Sequence, residues 1–472
     1  MHNSRQASER APSHLDKNLT GWQLTLLGVG FTTGTGYFLA SALAIRMAGW
    51  WVLLTFSLAA IASYFVLEAL SLLVSENPQQ GSFRTYAKLA FGPWAGFGNG
   101  WLYWTSECLV LGSTLTALGL FTQYWLPHMP LWELTGAYAC LGVLIVAWGT
   151  RAFERTENVL ALVKIAAIVG FLVVVSVAAA RLWQQRGDAS GVFHIVSKLV
   201  ASSAPFDIVQ KKAPSLPVRD VWTSFIFAFY AFGGIEVMGL MAVQLKQPKS
   251  APKSGLAMMI TVTTLYLASM MLILGSVDYR HISVSQSPFL STLQFYRLSV
   301  LAHLFNGIFI VAAFSVLVAS IYAVTSMVVT LSKDGDAPAW IQLGQQNAQQ
   351  GRLPWPALAL TASFLILSVL LSLLLPKQLY EHIATAAGLL LMYTWMFIVA
   401  AFWKLYKANW AQRIKSSLAV MLIFVAVLGT SLHPTTRPGF FISLLLLGGI
   451  AALSILIKSP QFRWARRKLR HK

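Results

Sequence analysis

The feature that most constrains this chain is a succession of about twelve apolar runs, each near the roughly 20 residues that a helix needs to cross a bilayer. The runs lie at about 22–47, 50–75, 97–125, 131–150, 157–181, 220–245, 255–276, 300–331, 356–375, 383–403, 416–432 and 439–457. Between them stand turn-forming and charged stretches such as "SENPQQGSFR", "KQPKSAPKSG" and "SKDGDAPAW". Only 11% of the 472 residues are charged, whereas a soluble domain carries about a quarter. In hydrocarbon every backbone polar group must find a partner inside the protein, so spans of this length are read as helices. The expectation is one all-α integral membrane domain over residues 21–458. A polar tail of residues 1–20 would precede it, and a basic tail of residues 459–472 would follow.

The formal net charge of +19 does not point to nucleic acid. The basic residues fall in short loops, and a last cluster, "RWARRKLRHK", follows the final apolar run. That distribution is what the positive-inside rule produces, and it makes anionic lipid headgroups the natural partner. Counting Lys and Arg by segment places both termini in the cytoplasm. The N-terminal residues lack the early apolar stretch of a signal peptide. Cys108 and Cys140 have no redox or metal-binding spacing. No HExxH, Ser-His-Asp context, phosphate loop or Cys/His cluster is present, so neither an enzyme, a cofactor nor a metal site is expected. Residues 183–219, expected outside, form the longest connection and carry no functional reading.

Two of the runs are built weakly. The first contains "GVGFTTGTGYF" over residues 28–38, and the sixth is "SFIFAFYAFGGIEVMGLMAVQ", with Gly233 and Gly234 beside Glu236. Each glycine costs a helix about 1 kcal/mol relative to alanine. Glycines also let membrane helices pack closely, and for one pair alone packing is the better explanation. Breaks five spans apart instead point to a transporter of two inverted repeats. That architecture has five helices, five related helices and two more. A broken helix frees N–H groups at one half-helix end and carbonyls at the other, and a zwitterion such as an α-amino acid answers both.

The motifs carry a resemblance. "GTGYF" (34–38), "NPQQGSFRTYA" (77–87), "GPWAGFGNGWLYW" (92–104), "LVKIAAIVG" (162–170), "FAFYAFGGIE" and "LSKDGDAPAW" (331–340) are collinear with motifs of one family. The chain resembles the amino acid permeases of the amino acid–polyamine–organocation superfamily, in the bacterial amino acid transporter branch. The resemblance implies a LeuT-like fold of twelve helices with the first and sixth broken, acting as a monomer in the bacterial plasma membrane. It further implies import of an L-amino acid coupled to protons, with exchange or efflux by the same fold as the alternative and a non-transporting sensor as a remote one. Carried over by position, Thr35 and Gly36 would hold the substrate carboxylate. Thr32 and the backbone of Tyr230, Ala231 and Gly233 would receive its ammonium group. Phe232 would sit at the gate, and Ser106 and Glu107 would line the side-chain pocket.

The chain departs from the branch in its charges. Glu68 and Leu72 stand where the branch has Arg and Glu, and Thr114 and Gln244 stand where it has Glu. Met327 replaces an Arg.

Ionisable residues at membrane depth cost at least about 2.5 kcal/mol and mark function. Lys164 falls deep in the fifth run. By resemblance it occupies the place of a bound sodium ion in sodium-coupled relatives, which favours proton coupling. Glu236 either exchanges a proton or braces the unwound backbone. Glu107 either meets a cationic substrate side chain, pairs with a protein group or takes the proton. The other residues expected around the pocket are Phe, Leu, Val and Met, which suit a neutral or branched side chain.

Overall fold

The computed structural model describes residues 19–148, 153–185, 218–337, 339–342, 354–374 and 379–458. The expected outer connection of 183–219 and both tails lie largely outside these residues. Those described are nearly all helical, and their only β feature is an isolated parallel bridge between Leu19 and Leu245.

The first span begins at α1 (Gly21–Thr32), whose start is fixed by a reciprocal cap between Thr20 and Gln23. It resumes as α2 (Thr35–Phe38) and α3 (Ala40–Ala48). The chain turns at Gly49, where φ is +54°, a value open to glycine. It returns as α4 (Val52–Glu76). A short helix, α5 (Phe83–Phe91), leads into α6 (Pro93–Gln123), followed by α7 (Leu131–Trp148) and α8 (Phe153–Gln185).

The sixth span is split into α9 (Val218–Ala231) and α10 (Ile235–Met241). Then come α11 (Ala251–Ser276), the short α12 (Pro288–Phe295) and α13 (Ser299–Lys333). After α14 (Ala339–Gln342) follow α15 (Trp355–Leu374) and α16 (Leu379–Leu405). The last pair is α17 (Trp410–Thr430), opened by an Asn409–Gln412 capping box, and α18 (Arg437–Lys458).

The order repeats itself. A broken span, an unbroken one and a short helix precede a long helix, of 31 residues in α6 and 35 in α13. A short crossing then follows, of 18 residues in α7 and 20 in α15. This is the five-plus-five plan expected from the two breaks.

Eleven helices among the described residues are long and apolar enough to cross a membrane, against the twelve expected. The difference lies at the start. Thr35–Glu76 counts as one stretch of 42 residues, although a straight helix of that length would run about twice the hydrocarbon thickness and this one turns at Gly49.

Buried fractions separate centre from periphery. In the most apolar window of each helix, 78% of α16 and 72% of α6 is buried, against 17% of α18. Leu445, Phe441, Leu370 and Val300 face outward, as lipid-facing residues do.

Candidate functional site

Both weak spans are broken where the glycines stand. α1 ends at Thr32, Thr33 leaves the helix, Gly34 is extended, and α2 starts at Thr35. In the sixth span Phe232 to Gly234 form a turn, with Gly234 at φ +105°, the left-handed region that glycine supplies. The breaks touch one another. A Cβ on Gly234 would lie 3.1 Å from the carbonyl carbon and oxygen of Phe31. One on Gly36 would lie 3.0 Å from the carbonyl oxygen of Tyr230. Here the absent side chains let two backbones meet.

Freed carbonyls take donors from neighbouring helices. The Tyr266 hydroxyl, on α11, lies 2.9 Å from the Thr32 carbonyl oxygen and 3.2 Å from that of Ala231, so it ties the two breaks together. Its ring stacks on Tyr37 at 3.5 Å between centroids. The Tyr37 hydroxyl in turn bonds Ser269. Tyr380, on α16, donates to the Thr35 carbonyl at 3.0 Å. Lys164 Nζ, on α8, donates to the Gly30 carbonyl at 2.9 Å and is 1% exposed. An ammonium at this depth is thus bonded to the main chain beside the unwound segment.

The side chains expected at the site are distributed as follows. Thr35 meets Thr114 of α6, hydroxyl to hydroxyl, at 3.2 Å. The Tyr230 hydroxyl bonds Ser113 of the same helix. Thr32 is buried, and its hydroxyl has no hydrogen-bond partner among the described residues. Ala231 is buried, and its carbonyl is held by Tyr266. Phe232 is buried between Tyr266, at 5.4 Å, and Phe56, at 6.2 Å. Gly36, Gly233 and Gly234 remain half-buried while most of their neighbours are sealed. Ser106 turns to the Ala387 carbonyl of α16, at 2.9 Å, and is fully buried.

Glu236 is fully buried and both its oxygens accept from the Gly234 N–H, at 3.1 and 3.3 Å. Trp395 Nε1 donates to one of them at 3.1 Å. This is the brace geometry: the carboxylate caps the turn that breaks the span. Glu107 is half-buried, within electrostatic reach of Glu236.

Sequence reasoning missed Tyr266, Tyr380, Ser113 and Trp395. The available signal was general: a tyrosine or tryptophan inside an apolar run needs a partner for its polar tip. Thr114 was noted only as a lost acid, yet it bonds Thr35. Glu68 is 3.0 Å from Lys415 of α17.

These features define a multi-pass helical membrane transporter with paired, broken, mutually contacting spans. A family described as Amino acid permease matches residues 23–460, and the chain belongs to that family. It is 46% identical to "uncharacterized transporter YcgH" of Bacillus subtilis, over 94% of this chain and 96% of that one. It is 26% identical to "amino-acid permease AapA" of the same species, over 84% and 82%. It is 25% identical to "aromatic amino acid transport protein AroP" of Salmonella typhimurium, over 87% and 86%. Among solved structures, a manganese transporter of Eremococcus coleocola superposes with TM-score 0.59 at 12% identity, covering 98% of this chain and 99% of that one. That likeness bears on the fold, which is LeuT-like as expected, and not on what is carried.

Proposed function

We propose that this protein imports an L-amino acid across the bacterial cell membrane by alternating access, together with a proton, with both termini in the cytoplasm. The observation that carries the reading is the contact between the two breaks, where Gly36 and Gly234 bring backbone against backbone. In this reading the substrate carboxylate is held at Thr35 and Gly36. Its ammonium group meets Thr32 and the backbone of Tyr230, Ala231 and Gly233. The unpartnered Thr32 hydroxyl and the half-buried glycines support that assignment. Phe232 closes over the site. Lys164 donates to the Gly30 carbonyl, at the place that by resemblance holds a sodium ion in sodium-coupled relatives, and this favours a proton as the coupling ion. Glu236 serves as brace and as a proton acceptor when the turn rearranges. The protein works as a monomer, with its basic tail on anionic lipid.

The test is uptake of labelled L-amino acids into proteoliposomes with an acidic exterior. Uptake that collapses with a protonophore is expected. Counterflow that persists without a proton gradient would instead indicate an exchanger, and binding without flux a sensor. If no L-amino acid binds or moves, the reading falls.

A further inference from the structure

Glu107 differs from Glu68 and Glu236 in how its carboxylate is held. Glu68 has Lys415, and Glu236 has the Gly234 N–H and Trp395. The Glu107 carboxylate has no hydrogen bond or ion pair with any described residue. Its chain neighbours Ser106 and Cys108 are 0% and 5% exposed, yet Glu107 is half-buried. Space therefore reaches this side chain between two sealed neighbours, as it does Leu109 and Val110 just beyond. Glu107 is also seven residues from Thr114, so both lie on one face of α6. Thr114 meets Thr35, so that face looks toward the first break.

Among the described residues no cation balances Glu107. Tyr103, Tyr230 and Cys108 lie near Glu107, and Glu236 faces it from α10. Lys164 is engaged with the Gly30 carbonyl. Two carboxylates sharing a low-dielectric space cannot both stay ionised without a cation between or beside them. From Thr114 to Glu107 the helix advances on the order of 10 Å. A zwitterion anchored at the breaks, with a flexible stem ending in a cation, reaches from one to the other.

We infer that Glu107, with Glu236 behind it, receives the charged end of the substrate's side chain, so that the preferred cargo is a basic L-amino acid such as lysine, ornithine or arginine. This rests on the reading that the breaks hold an amino acid headgroup. The apolar residues around the pocket then accommodate the aliphatic stem rather than the whole side chain.

The test compares L-lysine with L-norleucine, which has the same stem without the amine, by direct binding to the purified full chain. Lysine should bind about thirtyfold more tightly or better, since removing one partner of a buried charge pair costs about 2 kcal/mol or more and each 1.4 kcal/mol is about tenfold. In Glu107→Gln this preference should vanish, while the unliganded variant keeps its cooperative thermal transition. Norleucine binding as tightly as lysine to the unaltered protein overturns the inference and leaves the headgroup site standing. So does a lysine preference that survives in a folded Glu107→Gln. Failure of every L-amino acid to bind overturns the headgroup site and this inference with it.

Discussion

The hydroxyl of Tyr266 donates to the carbonyl of Thr32 at 2.9 Å, at the residue where the first span stops being helical. The same hydroxyl reaches Ala231, so one phenol serves the exposed main chain of both broken spans. Tyr266→Phe leaves both carbonyls short of this donor in a buried place, at a cost of about 1–3 kcal/mol. A lower thermal midpoint and reduced amino acid uptake are expected. An unchanged midpoint would mean that the tyrosine is not a structural tie.

Lys164 is expected to resist substitution for a different reason. Lys164→Met removes a charged donor from the Gly30 carbonyl, and hydrogen bonds to charged groups contribute about 1.5–3 kcal/mol. Uptake should fall with it. Lys164→Arg, whose rigid fork suits carboxylates better than a single carbonyl, should restore stability only in part. Both are read by scanning fluorimetry and proteoliposome uptake.

Gly234→Ala should destabilise by more than about 1 kcal/mol, because φ is +105° and the new Cβ would press on Phe31. Gly98→Ala is the control. Nothing lies within 4 Å of its Cβ position and it is helical, so the thermal midpoint should stay or rise slightly.

The ion pairs should differ in strength according to burial. Arg84, 1% exposed, bridges Asp334 at 2.7 Å and Asp336 at 2.8 Å. Removing its charge strands two acids, and Arg84→Gln should cost about 3–5 kcal/mol. Asp336→Asn should cost more than Asp334→Asn, since Asp336 is 16% exposed and Asp334 39%. The Glu68–Lys415 pair, at 19% and 39% exposure, should give a coupling of only about 0.2–1 kcal/mol in a double-mutant cycle.

A pH dependence is expected at the turn between α17 and α18. Partial burial there makes the His433 ring harder to protonate than a free histidine; Asp220 offsets this in part and Arg219 adds to it. A histidine whose folded affinity for protons is lowered leaves the unfolded chain binding more of them. Stability should therefore fall as the pH drops below the ordinary histidine range of about 6.5. His433→Asn should flatten that slope in thermal scans between pH 7 and 5 (about one proton's worth at most).

The apolar runs and the glycines at 34, 36, 233 and 234 were enough to read the helical class and the place of both breaks. Hydropathy and helix propensity are local properties, and a sequence displays them directly. What joins the breaks was not legible. Tyr266 and Thr32 are 234 residues apart, and Tyr380 and Thr35 are 345 apart. Which tyrosine tip meets which carbonyl depends on how helices pack. Glu68 illustrates the same limit, since Lys415 is 347 residues away, between two apolar runs. Ser106, which the resemblance puts at the pocket, donates to the Ala387 carbonyl, a partner 281 residues away that no local pattern names.

One small feature has mechanical weight. The Leu19 N–H donates to the Gln244 carbonyl at 3.2 Å, and the Lys246 N–H donates back to Leu19 at 3.0 Å. This two-rung splint fastens the entry to α1 onto the exit from α10. Those two half-helices are consequently yoked at their far ends as well as at their broken ones. Either they swing together on that side, or the splint must unzip first.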